Sequence, residues 1–126
     1  MKKHRIMVVD DSRVIYMEMS KMLEDTDIEI VAFCRTGEDA LEQYESVKPD
    51  LVTIDIVMPG MSGLEAAEAM ISRWPDANVY MVSSMAYEDV INSAAKIGAK
   101  GFLFKPFTKE SLLESLGGAL KSIATK

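Results

Sequence analysis

Cysteine, histidine and positive charge are all scarce in this chain, and each scarcity narrows what it can be. Its one cysteine, Cys34, has no partner for an internal disulfide and fits a reducing cytoplasmic compartment. His4, the one histidine, has no second ligand near it in the chain and reads as a surface residue rather than a metal site. Lys and Arg total 14 against 20 Asp and Glu, for a net charge of −6. That balance argues against direct nucleic-acid binding through a basic face, and against attraction to anionic membranes. No apolar run approaches the length of a membrane-spanning helix, so membrane insertion is not expected. The basic start Met1-Lys2-Lys3-His4-Arg5 leads into only Ile6-Met7-Val8-Val9 before Asp10, too short for a signal-peptide core.

What the chain does have is a regular alternation. At 126 residues and 48% hydrophobic, it is sized for one domain, residues 1–126, with a substantial core. Apolar runs of about five residues alternate with stretches of helical period, five of each, as in βα units around a parallel sheet. Strands are expected at Arg5–Val9, Glu29–Phe33, Asp50–Ile54, Asn78–Val82 and Lys100–Phe104. Helices are expected at Arg13–Glu24, Gly37–Ser46, Gly63–Arg73, Glu88–Ile97 and Lys109–Ile123. The first helix promises a broad buried stripe through Val14, Ile15, Met17, Met19, Met22 and Leu23. Several of the ten methionines, among them Met17, Met19 and Met22, read as fillers of irregular core gaps. Thr36 and Thr108 stand where helix N-caps are wanted, Gly98 where a C-cap is wanted, and Pro49 and Pro75 in connections. Gly117-Gly118 inside the fifth helix costs about 1 kcal/mol per glycine against alanine, so a bend or fraying is expected there. Glu24, Asp25 and Asp27 read as a solvated helix end.

Chemistry gathers where the strands end. Asp10 and Asp11 follow the first strand, Asp55 the third, Ser83 the fourth and Lys105 the fifth. In an α/β doubly wound five-stranded parallel sheet of order 2-1-3-4-5, the flavodoxin-like order, strands one and three are neighbours flanking the switch point. Asp10, Asp11 and Asp55 then share one crevice. Two unit charges about 4 Å apart repel by roughly 4 kcal/mol at an effective dielectric of 20, so the cluster calls for cations. Lys105 is one, and a hard divalent ion such as Mg²⁺ suits the oxygen ligands. With charge balanced, one carboxylate is free to attack phosphorus. By chemistry alone Ser84 is as good a hydroxyl as Ser83.

Four segments carry a resemblance to a known family: Val8-Val9-Asp10-Asp11-Ser12, Asp55-Ile56-Val57-Met58-Pro59-Gly60-Met61-Ser62-Gly63, Met81-Val82-Ser83-Ser84 and Lys105-Pro106-Phe107. In order and spacing, over essentially the whole chain, they resemble the CheY-like response-regulator receiver domain of two-component signalling. The resemblance implies that Asp55 is the phosphoacceptor, fed by a histidine kinase or a small phosphodonor. It implies Mg²⁺ held by Asp11, Asp55 and the Val57 backbone carbonyl, with Asp10 nearby through water. Ser83 would be the switch hydroxyl, Lys105 the cation pairing with phosphate, and the Lys105–Pro106 peptide cis. Phe102 would be the switch aromatic, where many relatives have tyrosine. Val57 and Met85 fall at positions that border the path of hydrolytic water. Both are apolar, so a long-lived aspartyl phosphate is expected. Ile56 stands where some relatives have tryptophan, and Trp74 lies far from the site, so it should report metal binding poorly.

On this reading the chain is a switch that assists its own phosphorylation and dephosphorylation rather than a metabolic enzyme. Phosphorylation shifts the face made by the fourth helix, fifth strand and fifth helix toward a partner. The partner is a downstream target, as in chemotaxis, or an output domain if the chain is part of a longer regulator. Two rivals share elements of the pattern. A haloacid-dehalogenase-type aspartyl-phosphate hydrolase wants an acid two residues after its nucleophile, where this chain has Val57. A flavodoxin-like FMN site wants hydroxyls and glycines after the first strand, where Asp10 and Asp11 would repel the phosphate.

Overall fold

The computed structural model describes residues 3–84 and 88–124, with backbone alone for 122–124. Five strands alternate with five helices: β1 (His4–Val9), α1 (Arg13–Met22), β2 (Ile28–Cys34), α2 (Gly37–Val47), β3 (Leu51–Asp55), α3 (Gly63–Arg73), β4 (Val79–Ser83), α4 (Glu88–Lys96), β5 (Gly101–Phe104) and α5 (Lys109–Ala124). All four strand pairings are parallel, and the order is β2-β1-β3-β4-β5, as expected from the alternation.

Side-chain alternation along the strands builds two cores, one on each face. Met7 and Val9 of β1, with Val52, Ile54 and Met81, pack under Ala40, Leu41, Ala66, Met70 and Ala94 of α2, α3 and α4. Ile6 and Val8, with Leu51, Val82 and Leu103, pack under Met19 of α1 and Leu112, Leu116 and Leu120 of α5. Two helices therefore cover one face and three the other, leaving the strand ends open.

Caps set where the helices start. Ser12, Thr36 and Ser62 each accept the backbone N–H of the third residue of the helix they precede, Ser62 in a reciprocal capping box with Glu65. Thr108 accepts the Ser111 N–H at 3.0 Å, and Gly98 takes a left-handed φ of 99° beyond α4.

The structure departs from expectation at several places. α1 stops at Met22 rather than Glu24, because Asp25 adopts a left-handed φ of 62° and an acidic run opposes the negative end of the helix dipole. Its buried stripe is narrower than expected. Ile15, Met19 and Met22 face the sheet, whereas Val14 and Met17 project into solvent, so Met17 fills no core gap. α5 runs unbroken through Gly117-Gly118, held by Leu116, Ala119 and Leu120 buried on either side. Asp55 and Ser83 are the last residues of β3 and β4 rather than the first after them, paired in register with Val82 and Phe104. Asp27 is exposed as foreseen, but it lies 3.7 Å from His4.

Candidate functional site

Because the strands are parallel, β1, β3, β4 and β5 bring the residues at or just after their C-terminal ends to one edge of the sheet. Asp10 and Asp55 are buried there and Asp11 is half-buried. Each of the three offers a carboxylate oxygen within 4.8 Å of the others. Lys105 enters from the β5 side. Its Nζ donates to Asp10 Oδ2 at 3.0 Å and lies 3.6 Å from Asp55 Oδ2, so one cation faces acids from two strands.

The backbone holds these groups firmly. Asp10 accepts the Ser12 N–H through Oδ1 at 2.9 Å, and its own N–H donates to the Cys34 carbonyl at 3.0 Å. Ile56 N–H donates to Val82, Gly63 N–H to Ile56, and Lys105 N–H to Ser83. Ser83 is itself buried at the end of β4. The Lys105–Pro106 peptide is cis.

Gly63, the first residue of α3, was not singled out from sequence, yet the site depends on it. A Cβ there would overlap the Asp55 carbonyl oxygen and lie 2.7 Å from Ile56 Cα. Only glycine lets the helix start pack this closely behind the end of β3. A glycine opening a capped helix was the available signal. Arg35 was also missed, since a lone arginine after β2 has no pattern to mark it. One of its guanidinium nitrogens donates to the Asp11 backbone carbonyl at 3.2 Å.

Electrostatics reflect the crowding. Burial first, and Asp10 next, raise the Asp55 carboxyl to about 6; Lys105 pulls it back and Asp11 adds to the rise. The site thus carries more negative charge than its one lysine balances. Three carboxylates with no nitrogen or sulfur donor form a hard-oxygen set, the kind that suits Mg²⁺.

Other expected residues fall around this centre. Val57 lies two residues past Asp55 with its side chain exposed, while Met85 lies outside the described residues. Phe102 is half-buried, stacks on Phe104 with centroids 5.1 Å apart, and lines a cleft of about 170 Å³ against α4 with Ile91 and Ala94. Trp74 caps the far end of α3 against Tyr44. Among the described residues no helix is long and apolar enough to cross a membrane.

Comparison with known proteins gives this geometry a context. The response regulator receiver domain, as a family, matches residues 6–117. The chemotaxis protein CheY of Listeria monocytogenes is 39% identical over 117 residues, covering 93% of this chain and 98% of that protein. A chain of the CheX-CheY-BeF3-Mg complex from Borrelia burgdorferi superposes with a TM-score of 0.87 at 25% identity, over 93% of this chain and 89% of that one. The response regulator domain of Thermotoga maritima CheB superposes at 0.83 with 31% identity, over 95% and 98% of the two chains.

Proposed function

This chain belongs to the response regulator receiver family, and from that premise we propose that residues 1–126 work as one receiver domain, phosphorylated on Asp55 by a histidine kinase. An Asp55 oxygen attacks phosphorus in line, the P–N bond of the kinase phosphohistidine breaks, and the imidazole nitrogen keeps the bonding pair. Lys105, already poised between Asp10 and Asp55, pairs with the arriving phosphoryl oxygens. Asp10, Asp11, Asp55 and the Val57 backbone carbonyl would hold Mg²⁺, which when bound supplies neutralisation of charge on the transferring group. The Ser83 hydroxyl then meets a phosphoryl oxygen, and Phe102 follows it inward, remodelling the α4-β5-α5 face that a partner reads.

One observation carries this reading: the lysine just after β5 sits 3.0 Å from the acid just after β1 and 3.6 Å from the acid that ends β3, joining three segments distant in sequence at one point. The CheY relative favours a chemotaxis target as the partner, and the CheB domain illustrates the alternative of an output domain in a longer protein. The product is a signal, so the chain assists its own phosphorylation and dephosphorylation without turning over a metabolite. The acidic charge balance and the absence of a spanning helix among the described residues support a cytoplasmic protein that neither enters the membrane nor binds nucleic acid through this domain. Val57, apolar and exposed beside the acceptor, offers no polar atom to orient water, which supports slow loss of the phosphoryl group. Val57→Asn combined with Met85→Glu should speed that decay; an unchanged half-life would remove the role assigned to the two positions.

Intact mass after incubation with Mg²⁺ and acetyl phosphate tests the core of the reading. One added phosphoryl group, dependent on Mg²⁺ and absent in Asp55→Ala, is expected. An adduct that persists in Asp55→Ala would place the acceptor elsewhere.

A further inference from the structure

Arg35 has no part in the scheme above, and its placement suggests one. Cys34 closes β2 and Arg35 opens the next loop, so the order β2-β1-β3-β4-β5 sets Arg35 and Lys105 on opposite flanks of the acidic cluster. Lys105 is committed to two carboxylates. Arg35 is not: it donates to the Asp11 carbonyl, and among the described residues no carboxylate lies within ion-pair distance of it. In a chain of net charge −6, that leaves a planar fork of N–H donors with no carboxylate partner at the Asp11 edge of the site. With Asp11, Thr36 and Pro59 it lines an open cleft of about 350 Å³ next to the acceptor site, roomy enough for a small acyl group.

Resting on the phosphoacceptor reading, we propose that Arg35 receives the carboxylate released when Asp55 takes its phosphoryl group from an acyl phosphate. In that transfer an Asp55 oxygen bonds to phosphorus while the bond from phosphorus to the acyl oxygen breaks. The acyl oxygen keeps the electron pair, and a full negative charge departs as carboxylate with no proton required. With a phosphoramidate the P–N bond breaks instead, and the already protonated nitrogen leaves as a neutral amine. Only the first leaving group develops a charge that a guanidinium can stabilise in the transition state. Arg35 thereby tilts the chain toward acyl phosphates over donors whose leaving group departs neutral.

The test compares labelling rates with acetyl phosphate and with phosphoramidate, both in Mg²⁺, followed by intact mass for wild type, Arg35→Ala and Arg35→Lys. The acetyl phosphate to phosphoramidate rate ratio should fall about tenfold in Arg35→Ala and recover in part in Arg35→Lys, which keeps the charge but loses the fork. Equal slowing with both donors would reduce Arg35 to a general field or structural effect and overturn the inference, as would no change in the ratio. Titration calorimetry with Mg²⁺ separates a further case: weakened ion binding with proportional losses from both donors also overturns it. If wild type is labelled by phosphoramidate but not by acetyl phosphate, this inference fails and the phosphoacceptor reading stands. If neither donor labels it, this inference fails, and transfer from a phosphorylated histidine kinase, read by intact mass, decides the parent reading.

Discussion

The two ends of this sheet treat charge in opposite ways. Where the strands begin, polar groups are tied off in pairs. Arg5 donates its N–H to Asp50 at 2.9 Å and its guanidinium to the Lys48 carbonyl at 2.8 Å. Asn78 donates to the Asp50 carbonyl at 3.1 Å, and Lys100 donates to Asn78 at 2.6 Å, so four strand starts are linked at the surface. Where the strands end, three carboxylates converge, two of them buried, with one lysine reaching only Asp10 and Asp55, and Asp55 is pushed up to about 6. One end is satisfied and solvated; the other is crowded and short of positive charge. A protein that breaks a local rule at one place and obeys it elsewhere marks that place as functional. Here the strain is relieved by whatever brings positive charge, or takes up negative charge, at Asp55.

The largest expected effect comes from disturbing the backbone behind the crowded end. A methyl on Gly63 would overlap the Asp55 carbonyl and press on Ile56 Cα, both main-chain neighbours that cannot swing aside. Gly63→Ala should therefore lose about 3 kcal/mol in urea unfolding, since overpacking against backbone leaves no rotamer to absorb it. Labelling of Asp55 should fall with it. A loss below about 1 kcal/mol would mean that the turn from β3 to α3 relaxes easily, and that this end is not rigidly built.

Next in size is the crowding itself, read through pH. The folded Asp55 carboxyl sits at about 6 against an ordinary value near 4, so the folded state holds this proton more tightly than the unfolded chain. The resulting stability is fully present below about pH 4 and is lost as pH rises through about 6, on the order of 2 kcal/mol without Mg²⁺. Asp55→Asn, which keeps the shape and drops the charge, should remove that part of the pH dependence and raise metal-free stability at pH 8 by a similar amount. At the satisfied end the same exchange should have the opposite sign. Asp50→Asn weakens an acceptor for the Arg5 N–H and should cost about 0.5–1 kcal/mol. Adding Mg²⁺ should narrow the gap between wild type and Asp55→Asn, because an ion bound only by the folded state stabilises it. Urea midpoints at pH 4, 6 and 8 would dissolve the contrast if wild type and Asp55→Asn ran parallel.

Much of this was legible before the fold. Near-continuous apolar runs marked the strands because both faces of a parallel sheet are covered, and the acids at their ends followed from that register. What escaped notice depended on distances between segments. Gly63 matters because α3 starts against Asp55, a proximity that no local pattern expresses. Arg35 reaches the Asp11 backbone only because β2 and β1 are neighbours. The stripe on α1 was read too wide because helical period gives a direction but not the width of the surface beneath it. Val14 and Met17 lie past the edge of what the sheet and α5 cover.

The smallest effect sharpens the comparison from the satisfied end. Gly117 lies inside α5, exposed, and lines a cleft of about 330 Å³ with His4, Asp27 and Lys121. Its φ is not left-handed, and an added methyl would meet no heavy atom within 4 Å beyond its own helix backbone and chain neighbours. Nothing in the fold uses its missing side chain, while its backbone freedom in the unfolded chain opposes folding. Gly117→Ala should therefore gain about 0.5–1 kcal/mol, read as a higher urea midpoint, with Asp55 labelling unchanged. The same chemical change would then be harmful at Gly63 and helpful at Gly117, separated only by which end of the sheet each serves. A loss at Gly117 would mean that the strand-start end is packed as closely as the site, and crowding would no longer distinguish the two.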